Sequence, residues 1–222
     1  MPSLAITYLN EKARPYVEPL AGAHGAELSL PLEVREAPQM TAVFAAIREK
    51  WGRLDFLVHS LAFAPKADLQ GHLVDSPVEG FLTAMDISCH SFVRMAKLAE
   101  PLMTDGGVLV TMSYYGADKV IANYSLMGPV KAALEDAVRY LACGLAQRGS
   151  ASMPSPGPLK TWAASGVAHF DELLAEVELR APERDLVDIL DIGAATAFLY
   201  SPFAKLITGG TIYVDGGYNI RG

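Results

Sequence analysis

Three residues of this chain have the chemistry and spacing to polarise a carbonyl: Tyr114, Tyr124 and Lys131. If residues 123–131 are helical, a step of about 100° per residue brings position 131 back under position 124, two turns and roughly 10 Å along. The spacing then predicts a phenol that hydrogen-bonds a reacting carbonyl and an ammonium that grips a more distant part of one extended ligand, such as a cofactor sugar. Tyr114 closes the apolar run 107–113, so a strand end is expected to deliver it beside that helix. This combination suits an oxidoreductase; the competing reading is a packing tyrosine and a surface lysine. Tyr115 and Lys119 form a second, tighter pair, which works only with both residues on successive helical turns. Gly116 directly behind the strand-like run predicts a turn there instead.

Strand-like and helix-like segments alternate along the whole chain, the pattern of an α/β doubly wound parallel sheet. Strands are expected at 4–9, 27–30, 54–60, 107–113 and 210–214. Helices are expected at 11–23, 38–51, 77–103, 123–147 and 191–201, with the Gly22-to-Gly25 stretch ending the first of them. The segment 161–180 interrupts this alternation, and long excursions of that kind are often lids. No repeat, low-complexity tract or linker divides the 222 residues, so a single domain spanning 1–222 is expected.

Composition narrows the classes further. Apolar residues make up 51 % of the chain, which suits parallel strands covered on both faces. Lysine and arginine number 18 against 25 acidic residues, a net charge of −7 that argues against a general nucleic-acid binder. Neither a membrane-length apolar stretch nor a basic-then-apolar leader is visible, so a cytoplasmic protein without membrane association is expected. Cys89 and Cys143 are too few for a disulfide framework or a metal site and are expected to be core thiols.

The surroundings of the tyrosines are more specific than their spacing. Ser113-Tyr114-Tyr115-Gly116-Ala117, Asn123-Tyr124, Met127-Gly128, Lys131-Ala132-Ala133-Leu134-Glu135 and Val138-Arg139-Tyr140 resemble the enoyl-acyl-carrier-protein reductases, a divergent branch of the short-chain dehydrogenase/reductases. The resemblance includes His59-Ser60-Leu61-Ala62-Phe63-Ala64-Pro65, Asp86-Ile87-Ser88, Ser91-Phe92, Gly157-Pro158-Leu159-Lys160-Thr161, Ala163-Ala164-Ser165-Gly166 and Val214-Asp215-Gly216-Gly217-Tyr218. It implies a Rossmann-like fold and reduction of a trans-2-enoyl thioester on acyl carrier protein by hydride transfer from NADH, with NADPH as the alternative. By resemblance, Tyr124 stabilises the enolate oxygen, Lys131 holds the nicotinamide ribose, and Tyr114 lines the acyl pocket and orients the thioester. Glu33 and Val34 match the adenine contacts, Ser60, Leu61 and Ala62 run beside the cofactor, and Leu159 and Thr161 lie near the nicotinamide amide. Phe63, Ala64, Met127 and Ala164 are expected at the acyl pocket, 161–180 to cover the substrate, and the assembly to be a homotetramer.

Two stretches depart from the family pattern. The chain opens at what matches the family's second strand, so the glycine-rich strand–turn–helix that cradles the pyrophosphate has no counterpart, and the flanking strands are expected to show open edges. Where the topology demands an apolar strand, residues 149–156 are Ser/Pro-rich and suggest a loop. Two alternatives follow: a catalytically silent paralogue that assembles with intact subunits, and a short-chain reductase of another carbonyl.

Overall fold

A computed structural model describes residues 3–69, 71–146, 150–159 and 169–221. Among the described residues, six parallel strands form in chain order: β1 (Ala5–Tyr8), β2 (Leu28–Pro31), β3 (Phe56–His59), β4 (Val108–Thr111), β5 (Ser150–Pro156) and β6 (Thr211–Val214). They do not make one sheet. Among the described residues β1 pairs only with β2, while β3, β4, β5 and β6 form a separate four-stranded sheet in that order. The expected α/β parallel architecture is present, and among the described residues β1 and β3 each have one edge without a strand partner, as expected.

Helices α1 (Arg14–Ala23), α2 (Ala37–Trp51), α3 (Lys66–Leu69), α4 (Val78–Met85), α5 (Ser91–Ala99), α6 (Met127–Gly144), α7 (Phe170–Arg180) and α8 (Ile189–Tyr200) connect and cover the strands. Alternation along β4 separates two faces. Leu109 joins the main core with Phe44, Phe92, Leu134 and Val138 from α2, α5 and α6. Its neighbour Val110 packs on the opposite side with Leu199 of α8 and Ala204. Along α6 the buried residues Met127, Val130, Lys131, Leu134, Val138 and Ala142 recur at helical spacing. Cys89 is buried as expected, but Cys143 is exposed, because it falls just off that stripe. No helix of the described residues is long and apolar enough to cross a membrane.

Of the stretch expected as a loop, residues 150–156 form an interior strand, and residue 149 lies outside the described residues. Ala151, Ser152, Met153 and Ser155 are all at most 1 % exposed, and β5 pairs with β4 through Ser152 and with β6 through Pro156. The prolines survive because of their parity. The Pro154 carbonyl accepts from the Ser113 N–H at 2.9 Å, so positions 152, 154 and 156 turn their peptide groups toward β4. Both missing N–H groups therefore point to the β4 side after the last paired residues, Val110 and Ser152, so the strand forgoes one bond there, to the Thr111 carbonyl, and keeps its ladder with β6. The opposite parity serves β6, as the Gly157 N–H to Val214 carbonyl bond shows.

The long helical rod at 77–103 is also not uniform. Between α4 and α5, residues Asp86–His90 widen into a π-helical segment, a form often found at functional sites.

Candidate active site

β4 ends at Thr111, and the backbone stays extended as far as Tyr114 (φ −155°, ψ 145°) before a 3-10 turn over Tyr115–Ala117. Tyr115 faces away from the site, packing on Tyr218 with ring centroids 5.4 Å apart, and Lys119 is exposed. The turn expected for that second pair is what forms.

Tyr124 does not sit on the helix. α6 begins at Met127, and Tyr124 lies in the preceding turn, where its carbonyl accepts from the Gly128 N–H at 3.0 Å. Two residues impose this start. Pro129 has no N–H to give an earlier turn and fits only near a helix N-terminus. Asn123 has a left-handed backbone (φ 59°), which no helix continues. The shared helical face for Tyr124 and Lys131 is thus incorrect, yet the turn still delivers Tyr124 to Tyr114: the rings meet edge-to-face, centroids 4.7 Å apart. Gly116 makes room for them. A Cβ there would lie 2.5 Å from Tyr124 Cδ1 and 3.3 Å from Tyr114 Cδ1.

Burial raises the pKa of both phenols, with the neighbouring ring's hydroxyl adding to the effect at Tyr124. Both stay protonated across the physiological range and are hydrogen-bond donors rather than bases. The Tyr114 hydroxyl is buried and has no partner among the described residues. Lys131 is 4 % exposed and donates from Nζ to the Met112 carbonyl at 2.7 Å. Burial lowers its pKa to about 8, against opposing pulls from Cys89 and Glu135. One turn onward, Glu135 accepts from Ser113 Oγ at 2.5 Å and from Thr211 Oγ1 at 3.4 Å, tying α6 to the ends of two strands.

His59, the last residue of β3, is 1 % exposed. Its Nε2 lies 2.7 Å from Ser91 Oγ and its Nδ1 2.8 Å from Thr111 Oγ1. Each hydroxyl also has a backbone carbonyl in reach, Ile87 at 2.6 Å from Ser91 Oγ and His59 at 3.2 Å from Thr111 Oγ1; the shorter bond claims the Ser91 proton, so Ser91 accepts from Nε2–H and Thr111 donates to Nδ1. Burial, then the Lys131 charge, lowers the His59 pKa to about 3, so the ring is neutral. Ser88, inside the π-helical segment, bonds both the N–H and the carbonyl of Phe63, at 2.8 and 2.9 Å. Sequence reasoning gave these residues no role. A histidine ending an apolar strand, followed by serines in an apolar helix, was the available signal.

The other expected site residues gather elsewhere. A cavity of about 1280 Å³ opens between β1 and β3, and Glu33, Val34, Ser60, Leu61, Ala62 and Phe63 line it. Tyr114, Tyr124, Met127 and Lys131 do not. Met127 is buried in the core, and Ala64 packs against it half-buried. The two groups are joined through His59, which lines the cavity while bonding Thr111 at the end of β4. Leu159 is half-buried beyond β5. Thr161 and Ala164 lie outside the described residues, as does 161–168 of the expected lid; its remainder, α7, packs Val177 against Tyr115 and Tyr218.

Residues 2–219 match the family model described as Enoyl-(Acyl carrier protein) reductase. The chain is 41 % identical over 220 residues to an enoyl-[acyl-carrier-protein] reductase [NADH] of Rhizobium meliloti, covering 99 % of this chain and 81 % of that protein. Against the Synechocystis enzyme of the same name, identity is 45 % over 213 residues, 96 % of this chain and 81 % of the relative. The NAD complex of the reductase from Anaplasma phagocytophilum superimposes with a TM-score of 0.95 at 42 % identity, covering 99 % of this chain and 84 % of that one. The Bacillus cereus enzyme, solved with NADP+ and an indole naphthyridinone, gives 0.96 at 38 % identity, with 99 % and 87 % covered. With the Tyr114–Tyr124 pair, the buried Lys131 and these likenesses in agreement, the chain belongs to the enoyl-acyl-carrier-protein reductase family.

Proposed function

We propose that this protein reduces trans-2-enoyl thioesters carried on acyl carrier protein in fatty acid biosynthesis, using NADH. The observation that carries the reading is the meeting of two protonated phenols where β4 hands over to α6, with the buried Lys131 amine held on the Met112 carbonyl two residues before Tyr114. Charge develops on the thioester oxygen during reduction, and Tyr124 is the donor placed to receive it, an oxyanion-type role. Tyr114, with its hydroxyl unpartnered among the described residues, orients the thioester or lines the acyl pocket with Phe63, Ala64, Met127 and Ala164. Lys131, its amine on the Met112 carbonyl, supplies the positive charge of the site and holds the cofactor ribose.

The donor set fits a dinucleotide at the strand ends. Glu33 and Val34 follow β2, Ser60–Ala62 follow β3, and both groups line one cavity. Arg94 keeps the first group in place by donating to the Val34 carbonyl at 3.0 Å while pairing with Asp86. Leu159 and Thr161 complete the proposed cofactor contacts. When bound, the cofactor supplies the reducing equivalent; the protein supplies position and charge. NADH is favoured over NADPH because Arg14, the guanidinium after β1, is occupied by Glu18 at 2.6 Å and Glu11 at 3.4 Å. Segment 161–180 covers the acyl chain, the residues form a single domain, and the enzyme is cytoplasmic. A homotetramer is proposed from the exposed apolar side chains Val78, Leu82 and Tyr140 on α4 and α6, and light scattering tests it.

The deciding experiment mixes the purified chain with NADH or NADPH and crotonyl-acyl carrier protein and follows loss of reduced-nicotinamide absorbance. Turnover with NADH that exceeds turnover with NADPH supports the proposal. A stable oligomer that neither binds NADH nor turns over marks a silent assembly subunit instead.

A further inference from the structure

Glu135 is a half-buried carboxylate one helical turn beyond Lys131 on α6. A charge so placed is costly to keep from water unless it is bonded, and both of its oxygens are. Oε1 accepts from Ser113 Oγ at 2.5 Å and Oε2 from Thr211 Oγ1 at 3.4 Å. Ser113 is 3 % exposed and directly precedes Tyr114. Its N–H donates to the Pro154 carbonyl at 2.9 Å, the Met112 N–H donates to the His59 carbonyl at 3.3 Å, and Lys131 Nζ holds the Met112 carbonyl at 2.7 Å. The backbone is thus pinned through Met112 and Ser113, and the Ser113 side chain is the last of these bonds before Tyr114. The charges around Lys131 come from three elements. At the end of β3, burial and then the lysine's own charge lower the His59 pKa to about 3, so the ring is neutral. Burial lowers the Lys131 pKa, while Cys89 of the π-helical segment and Glu135 of α6 pull it back up. Burial also raises the pKa of the Cys89 thiol, so near neutrality it carries no charge and the pull falls to Glu135. On β6, burial and then Glu135 raise the pKa of Tyr213, which is uncharged as well.

We propose that Glu135 is a positioning residue with two separable duties: its carboxylate keeps the neighbouring Lys131 amine charged, and through Ser113 it holds Tyr114 in line with the substrate carbonyl. The inference rests on the proposed reductase function for what Tyr114 and Lys131 do. Its duties divide by chemistry. Four residues apart on a helix, the carboxylate and the amine share a face, and the first duty needs only a negative charge there. The second needs an acceptor for the Ser113 hydroxyl and no charge. Glu135→Gln removes the charge and keeps an amide oxygen for Ser113. Ser113→Ala keeps the charge and removes the tether. A side chain that only braced the fold would not separate the two variants.

The test follows the full chain by NMR and by steady-state kinetics. Isotopic labels at lysine Cε and in the tyrosine rings report Lys131 and Tyr114, whose signals are identified by their loss in Lys131→Met and Tyr114→Phe. Glu135→Gln is expected to lower the pH at which Lys131 titrates by about one unit and to leave the Tyr114 signals in place. The alkaline limb of kcat/KM for crotonyl-acyl carrier protein should move down with it, a loss of about fivefold at pH 8. Ser113→Ala should displace the Tyr114 signals and raise the thioester KM about tenfold, while the Lys131 titration stays near pH 8. An unmoved Lys131 titration in Glu135→Gln overturns the proposal, and so does an unmoved Tyr114 in Ser113→Ala. Equal losses of activity in both variants with one shared pH profile also overturn it, since a structural brace would give that result. A parent chain that does not turn over with NADH sinks the reductase reading instead, and the two NMR readouts still decide whether Glu135 tunes the amine and holds the tyrosine. Should Glu135→Gln fail to fold, Glu135→Asp decides: it keeps the charge and shortens the reach to Ser113, so the Tyr114 signals should move while the Lys131 titration stays.

Discussion

Tyr124 is the residue on which the proposed chemistry turns. Tyr124→Phe keeps the ring against Tyr114 and removes the one donor proposed for the developing charge. Its kcat is expected to fall by about 10²–10³-fold with NADH affinity little changed, separable by steady-state kinetics and fluorescence titration. Gly116→Ala acts on the same residue indirectly, since the new Cβ would press on the ring from 2.5 Å. It should lower kcat while leaving the secondary structure intact. Lys131, lowered to about pKa 8 by burial, predicts an alkaline limb in kcat/KM near pH 8 as the amine loses its charge. Its effect on stability has the opposite sense. Between about 8 and its usual 10.5, the unfolded chain keeps a proton that the folded chain has shed, so stability rises with pH across that window. Lys131→Met should therefore be at least as stable as the parent at pH 7 and inactive. His59 gives the acid counterpart. Its folded pKa of about 3 against 6.5 means the unfolded chain binds the extra proton between those values, so stability present above 6.5 is lost as pH falls toward 3. His59→Gln should flatten that fall in urea titrations.

At the scale of elements, the residues of the candidate site could be named from the sequence more readily than their geometry. The two tyrosines and the lysine were identifiable from sequence, but their placement on one helix ignored Pro129, whose missing N–H marks a first turn. The same kind of signal misled in the other direction at β5. Serine and proline there suggested a loop, yet parity decides what a proline costs in a strand, and parity is set by partners that the local sequence does not name. Pro154→Val restores the N–H that ladder geometry aims at the Thr111 carbonyl. It is expected to raise the melting temperature, with a gain of about 0.5–1.5 kcal/mol measurable by denaturant titration. The role of His59 was illegible for a related reason: its partners Ser91 and Thr111 are 32 and 52 residues away. Alternation of strand and helix, by contrast, is a local property, and it gave the element order and the parallel architecture.

At the scale of the molecule, the described strands pair as β2–β1 and β3–β4–β5–β6, an order of neighbours that local alternation of strand and helix does not reveal. The smaller unit has one ladder and half-buried strands, whereas β4 and β5 are almost fully buried. Native-state hydrogen exchange should accordingly show β1 and β2 opening at lower free energy than β4 and β5. Uniform protection across all six strands would contradict a divided core.

The π-helical segment at Asp86–His90 has a consequence for what changes this chain can absorb. Ser88 and Ser91 reach the end of β3 from neighbouring positions on the rod, one holding Phe63 and the other His59. Deleting Cys89 would swing one hydroxyl relative to the other by about 100°, and only one of them could then keep its partner. Substitutions in this stretch are matters of side-chain fit, but its residue count is fixed, so among related chains gaps should avoid these positions even where identities drift.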